Sequence, residues 1–174
     1  MRDVSERASE IRALDPERLI AVLAANQVRY VLIGALGARM QGFPRFTADA
    51  DITPARDDEN LEHLASVLHE LEARVYTESV PEGLAFDFTA SALSRAELWN
   101  LVTSAGRLDI AFVPSGTTGY DDLSDGAVTY EVNGTKLQVA RLEDIIRSKQ
   151  AADRPQDRQD VAVMLEMLER RDAR

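Results

Sequence analysis

Tyr30-Val31-Leu32-Ile33-Gly34-Ala35 and Asp49-Ala50-Asp51-Ile52-Thr53 decide the reading of this chain. Between them lie a short helical-looking segment to Gln41 and the loop Gly42-Phe43-Pro44-Arg45-Phe46-Thr47. Tyr30 to Ile33 is a continuous apolar run, as a strand buried on both faces requires. Gly34 ends it, and Leu36 and Met40, four residues apart, suit one helix face. Side chains alternate along a strand, so Thr47, Asp49 and Asp51 share one face while Ala48, Ala50 and Ile52 share the other. Like charges side by side on a strand repel, and aspartate has poor strand propensity, so stability alone does not favour the pair. A divalent cation between the carboxylates removes the repulsion.

Composition narrows the choice of metal. The chain has 174 residues, 45% hydrophobic and 29% charged, which suits one globular domain with a core of its own. It has no cysteine and two histidines, His63 and His69, both in a helical pattern that reads as solvent-facing. Thiolate and histidine-rich sites are thereby disfavoured, and carboxylate-bound Mg²⁺ or Mn²⁺ stays open. No apolar run is long enough to span a membrane and no signal-like start is seen, so a cytoplasmic protein is expected. The net charge of -10 argues against a broad nucleic-acid footprint but leaves room for a local basic patch.

The rest of the chain supplies further elements. Asp15-Pro16 opens a helix to about Asn26, Asp as cap and Pro in the first turn. Residues 60–71 form an amphipathic helix with Leu61, Leu64, Val67, Leu68 and Leu71 on one side. Short strands follow at 74–77 and 84–89, with a turn at 78–83. Ser94 to Glu97 has capping-box spacing before a helix or an extended piece around Trp99. Arg107 to Val113 alternates like the first acidic strand and presents Asp109 on its polar face. Residues 115–126 read as a loop, and Asn133-Gly134 as the turn of a hairpin joining 128–132 to 136–139. Two helices close the chain: 142–151, carrying Lys149, and one opened by Pro155 with Val161, Met164, Leu165 and Leu168 inward. Phe86, Phe88 and Trp99 read as core.

A strand, a glycine turn and a helix start can hold an anion, because free backbone N–H groups point outward there. The return from Gly34 to Asp49 sets a second strand beside the first. A triphosphate on the turn then lies near Asp49 and Asp51, where Mg²⁺ bridges them.

Together these residues resemble the nucleotidyltransferase superfamily. Gly34-Ala35 followed by Arg45-Phe46-Thr47-Ala48-Asp49-Ala50-Asp51-Ile52 matches its pattern of G-[SG], spacer, D-x-[DE]. The narrower wording Gly42…Arg45-x-Thr47-x-Asp49-x-Asp51 resembles the AbiEii/MenT-like toxins of toxin–antitoxin systems. Gly106-Arg107-Leu108-Asp109 is similar to the strand bearing the third carboxylate. Residues 142–149 with Arg154-Pro155-Gln156-Asp157 resemble the Lys…R-P-x-D segment. The likeness spans about residues 28–168; Ala35 stands where Ser or Gly is usual, so a hydroxyl contact to phosphate is lost and the backbone contact kept.

The resemblance implies an α/β (α+β) fold, a mixed sheet flanked by helices, and one nucleotidyltransferase domain over 1–174. Within it, residues 15–139 form the catalytic sheet and helices, and 140–174 a helical segment completing the site. It implies transfer of a nucleoside monophosphate from an NTP to a hydroxyl, with Mg²⁺ or Mn²⁺. Asp49 and Asp51 would hold the metal, and Asp109 would join them or activate the attacking hydroxyl. Gly34, Ala35, Thr47, Arg45, Lys149 and Arg154 would serve the nucleotide, with Asp157 orienting Lys149 or the nucleotide. The acceptor implied is RNA, the tRNA 3′ end, and the partner an antitoxin. Alternatives are a small-molecule acceptor of aminoglycoside type, a protein acceptor, and a non-catalytic binding domain. An RNA acceptor predicts Arg39, Arg45, Arg107, Arg147, Arg154 and Arg158 gathered around the carboxylates; a small acceptor predicts a deep acidic pocket.

Overall fold

A computed structural model describes residues 12–173. Its first helix, α1 (Pro16–Ala25), starts as its sequence dictates: the Asp15 carboxylate accepts a hydrogen bond from Arg18 N–H at 3.0 Å, and Pro16 occupies the first turn. β1 (Tyr30–Ile33), α2 (Gly34–Met40) and β2 (Asp49–Pro54) follow. Next come α3 (Asp58–Glu70), β3 (Arg74–Thr77), β4 (Val80–Leu84) and α4 (Ala90–Leu93). β5 (Leu98–Thr103), β6 (Gly106–Ala111), α5 (Tyr120–Asp125), β7 (Val128–Val132) and β8 (Thr135–Val139) complete the sheet. α6 (Leu142–Ala152) and α7 (Pro155–Asp172) close the described chain.

The strands form one mixed sheet in the order β4-β3-β5-β6-β2-β1-β8-β7. β1 runs antiparallel to β2 and parallel to β8, and β2 runs parallel to β6. This is the mixed α/β sheet with a helical C-terminal segment that the sequence implied.

Packing follows the alternation of side chains. Leu32, Ala50, Ile52, Leu101, Leu108 and Ile110 line one sheet face and bury themselves against α1 and α3. On the other face Val31 meets Ala38, Leu142, Ile145, Val161 and Met164, so α6 and α7 cover the sheet around β1. That face of β2 and β6 carries aspartates in place of aliphatic side chains, and there the cover gives way to a cleft.

Several local expectations need correction. Residues 80–84, not 84–89, form the strand after β3; beyond Leu84 the rings of Phe86 and Phe88 pack tilted or edge-on against Trp99 instead of joining the sheet ladder, and Phe86, expected in the core, is exposed. Ser94 opens no helix: it ends the short α4, whose N-cap is Thr89, and 98–103 alternate as a strand. Residues 120–125, expected as loop, form α5. Leu165 is exposed, so α7 buries a narrower stripe centred on Val161 and Met164. The Asn133-Gly134 hairpin has the expected positive φ angles, 49° and 79°.

Candidate active site

β2 and β6 pair in parallel with Asp51 directly opposite Asp109, and Asp49 opposite Arg107. The three aspartates therefore occupy one small area of one sheet face. Each strand is anchored from behind by Ala50, Ile52, Leu108 and Ile110, all fully buried. A slip of one residue in register would bury the carboxylates and expose the aliphatics, so the register is strongly specified.

The carboxylates hold each other in an uncomfortable state. Burial first, then the charges of Asp49 and Asp109, push the Asp51 carboxyl up to about 7; Lys149 and Arg154 pull weakly the other way. Asp109 rises to about 6, through burial and the charge of Asp49, offset by Arg107 and Arg154. Its Oδ1 atom is buried without a hydrogen-bond partner, the nearest guanidinium nitrogen of Arg107 being 3.8 Å away. Asp49 Oδ1 accepts a hydrogen bond from the Thr47 hydroxyl at 2.6 Å.

These groups suit a hard divalent cation. Only oxygen donors are present, their like charges are adjacent, and one buried oxygen lacks any partner. Among the described residues, no three acidic or histidine side chains stand close enough to hold a metal alone. That is compatible with Mg²⁺, which commonly binds through one or two carboxylates, water and substrate phosphates.

Gly34 abuts this cluster. Its φ is +65°, and a Cβ built there would lie 2.2 Å from Asp51 Oδ2. Only glycine gives both the left-handed backbone and the missing side chain. Gly34→Ala is expected to cost about 1–3 kcal/mol from strain and to displace the Asp51 carboxylate. Thermal melting and Mg²⁺ titration check both effects. Unchanged metal affinity would show that the contact does not position Asp51. Ala35, the next residue, is buried and lines the same cleft.

The cleft encloses about 650 Å³ between the carboxylates and the α6–α7 segment. Gly34, Ala35, Arg45, Thr47, Asp49, Asp51, Asp109, Lys149, Arg154 and Asp157 all line it, so the site residues read from the sequence share one cavity. Lys149, however, is not the free point charge expected. It is buried, and its Nζ donates to Asp157 Oδ1 at 3.0 Å and Asp160 Oδ2 at 2.9 Å. Asp157 also accepts from Arg154 Nε at 2.7 Å.

Asp160 escaped the sequence reading. It is 2% exposed and also accepts a two-pronged contact from Arg45, at 2.9 and 2.7 Å, and the Gln156 amide at 3.0 Å. Three donors that line the cleft thus converge on one carboxylate that does not line it. Burial acts to raise the Asp160 and Asp157 carboxyls, but hydrogen bonds outweigh it and hold both below their ordinary values: from Arg45, Lys149 and Gln156 for Asp160, from Arg154 and Lys149 for Asp157. The available signal was the Asp157-x-x-Asp160 spacing, which puts both acids on one side of a helix. Asp144 was also missed; it lines the cleft while paired with Arg141 and Arg147.

Of the other arginines, Arg107 stands beside Asp109, and Arg39, Arg147 and Arg158 are engaged elsewhere. Arg39 lies over the exposed Phe46 ring, Arg107 over Tyr76, Arg147 pairs with Asp122 and Asp144, and Arg158 pairs with Asp153. The aspartates lining the cleft (49, 51, 109, 144 and 157) outnumber its cations, Arg45, Lys149 and Arg154.

No protein-family model matches the sequence, and no curated protein matches it. Solved structures do resemble it in shape. The lincosamide antibiotic adenylyltransferase LnuA, lincomycin-bound, superposes with a TM-score of 0.54 at 15% identity, over 88% of this chain and 98% of that one. The antibiotic-resistance factor ANT(2'')-Ia in solution gives 0.52 at 16% identity, over 87% and 80% of the two chains. ANT(2'')-Ia in complex with adenylyl-2''-tobramycin gives 0.52 at 16%, over 86% and 85%. The narrower likeness to the toxin group finds no support in them. What they establish is architecture: the chain has a nucleotidyltransferase-like fold.

Proposed function

We propose that the protein transfers a nucleoside monophosphate from an NTP to a hydroxyl of a small molecule. The observation that carries this reading is the pairing of Asp51 with Asp109 on parallel strands, facing Lys149, Arg45 and Arg154 across one cleft. The structural neighbours support the small acceptor: one is an adenylyltransferase of a lincosamide, another is bound to adenylylated tobramycin. The RNA acceptor and antitoxin partner implied by the toxin resemblance lack that support, since Arg39, Arg147 and Arg158 are spent on other groups and the cleft is acidic.

Asp49 and Asp51 are the residues to hold Mg²⁺ or Mn²⁺, which when bound neutralises phosphate charge and polarises the α-phosphorus. Thr47 fixes the Asp49 carboxylate through its hydroxyl. Arg45, Lys149 and Arg154 bring three cations against the two carboxylates of Asp157 and Asp160, leaving one net positive charge for the terminal phosphates. Because these donors are already held, little reorganisation is needed when the triphosphate arrives. Gly34 and Ala35 offer backbone at the cleft wall where a side chain would obstruct Asp51. Asp109, with an unpartnered oxygen and a pKa near 6, accepts the proton of the attacking hydroxyl. The acceptor oxygen bonds to the α-phosphorus as the bond to pyrophosphate breaks.

The test incubates the protein with Mg²⁺, each α-labelled NTP and a panel of hydroxylated small molecules, with Asp49→Ala as control. Label is expected in a small-molecule product only with the unaltered protein. Equal label with Asp49→Ala, or none with either protein, defeats the reading.

A further inference from the structure

The cleft is electrically one-sided. Among the described residues, every lysine and arginine that lines it, Arg45, Lys149 and Arg154, is bound into the network of α7 carboxylates Asp157 and Asp160. The opposite wall is the uncovered face of β5 and β6, with Asp109 as its one charged group bordering the cleft. Arg107 shares that strand face and stands 3.8 Å from Asp109 Oδ1, but it is held over the Tyr76 ring and does not border the cavity. A triphosphate has partners on the first wall and none on the second.

The second wall has a distinct chemistry. Asn100 stands directly opposite Asp109 in the antiparallel pairing of β5 and β6, and Leu98 stands opposite Ala111. Cross-strand neighbours of this kind have Cβ atoms about 4.5–5.5 Å apart. Asn100 is exposed, and among the described residues its amide makes no hydrogen bond. Leu98 is 56% exposed although it lines the cleft, as do Ala111 and Pro114. A carboxylate, an unengaged amide and leucine methyl groups therefore lie within one short stretch of two strands.

We infer that this wall is the acceptor subsite, that the acceptor is a phosphate-free hydroxyl compound with one apolar face, and that Asn100 and Leu98 determine its selection. This rests on the nucleotidyl-transfer reading above. A hydroxyl directed at Asp109 places the adjoining polar groups at the Asn100 amide, which donates and accepts, and the apolar face on Leu98. An acceptor carrying phosphates meets a wall whose one charged group bordering the cleft is a carboxylate, an arrangement that rejects it. A nucleic-acid end is rejected for the same reason. The acceptor supplies the attacking oxygen and loses its proton; the NTP loses pyrophosphate, so no further reactant is required.

The experiment offers α-labelled NTP and Mg²⁺ with three acceptor pools: total tRNA, and a cell extract split by anion exchange into phosphate-bearing and phosphate-free small molecules. Label is expected in the phosphate-free pool. Asn100→Lys and Leu98→Asp are expected to raise the KM for the labelled acceptor by at least about tenfold, while the KM for NTP moves less than about twofold. Both positions are exposed, and unchanged melting curves confirm folding. Label confined to tRNA or to the phosphate-bearing pool overturns the inference, as does an acceptor KM that neither substitution moves. NTP binding by calorimetry separates the remaining outcomes. If Mg²⁺–NTP binds but no pool is labelled, the acceptor assignment falls; if the nucleotide does not bind either, the transferase reading itself fails.

Discussion

Asp51→Asn is expected to abolish transfer and at the same time stabilise the metal-free protein. The loss of activity should reach at least about a thousandfold, because the substitution removes a charge that no neighbour can replace at the phosphate. The gain in stability follows from the unfavourable state of the native carboxylate. Its pKa, near 3.8 in the unfolded chain, stands at about 7 in the folded one. Between those values the native state binds more protons than the unfolded state, so stability falls as pH rises through the window. The full cost is present above pH 7 and absent below the unfolded pKa. At 1.36 kcal/mol per unit, the cost is about 2–4 kcal/mol after allowance for partial exposure. Asp51→Asn should therefore melt several degrees higher than the unaltered protein at pH 8 without Mg²⁺, and equally at pH 4. Added Mg²⁺ should close the gap by stabilising only the unaltered protein. A variant that melts lower at pH 8 would mean that Asp51 is a structural partner.

Asp160→Ala should do the reverse, costing both stability and nucleotide affinity. The substitution leaves Arg45, Lys149 and Gln156 without their shared acceptor. Breaking a buried pair by removing one partner typically costs about 3–5 kcal/mol. The lower end is expected here, because Lys149 keeps Asp157 and the Arg45 side chain is 39% exposed and can reach water. The KM for NTP should rise by about tenfold or more with a smaller change in kcat, because the residue positions donors and does not touch the reacting atoms. Asp160→Asn keeps acceptor capacity and should recover part of both effects. The network also gives the protein an acid limit. Carboxyls held below their ordinary values contribute stability above the unfolded pKa and lose it as pH falls through the folded one. Melting temperature should drop below about pH 4 in the unaltered protein and less steeply in Asp160→Ala. A flat response in both would remove the network as a source of stability.

The two halves of the site differed in how visibly they were written in the sequence. Asp49, Asp51 and Asp109 could be read because strand alternation is local: each acid sits between aliphatic residues, and that pattern already states which face is polar. Parallel pairing that sets Asp51 against Asp109 adds only register to that information. The α6–α7 half was partly hidden. Lys149 was visible, and Asp157 beside it through the resemblance, but the second carboxylate, Asp160, depends on how one helix turns back against another. No periodicity reports that angle. Arg45 was ambiguous for the same reason, since its partner lies 115 residues away. Trp99 and Leu98 resisted assignment because the capping-box spacing at Ser94 competes with alternation at 98–103, and tertiary pairing with β6 decides for the strand. Asn100 carried no signal at all, since its interest arises only from standing opposite Asp109.

In the proposed reaction the cleft directs attack at the α-phosphorus of an NTP, and parallel reactions with α-labelled and γ-labelled NTP, in the presence of Mg²⁺ and the acceptor fraction, decide whether it does. The α-label should pass into the product while the γ-label is recovered in pyrophosphate, in equal molar amounts. Recovery of the γ-label in the product, or its release as free phosphate in place of pyrophosphate, would contradict it.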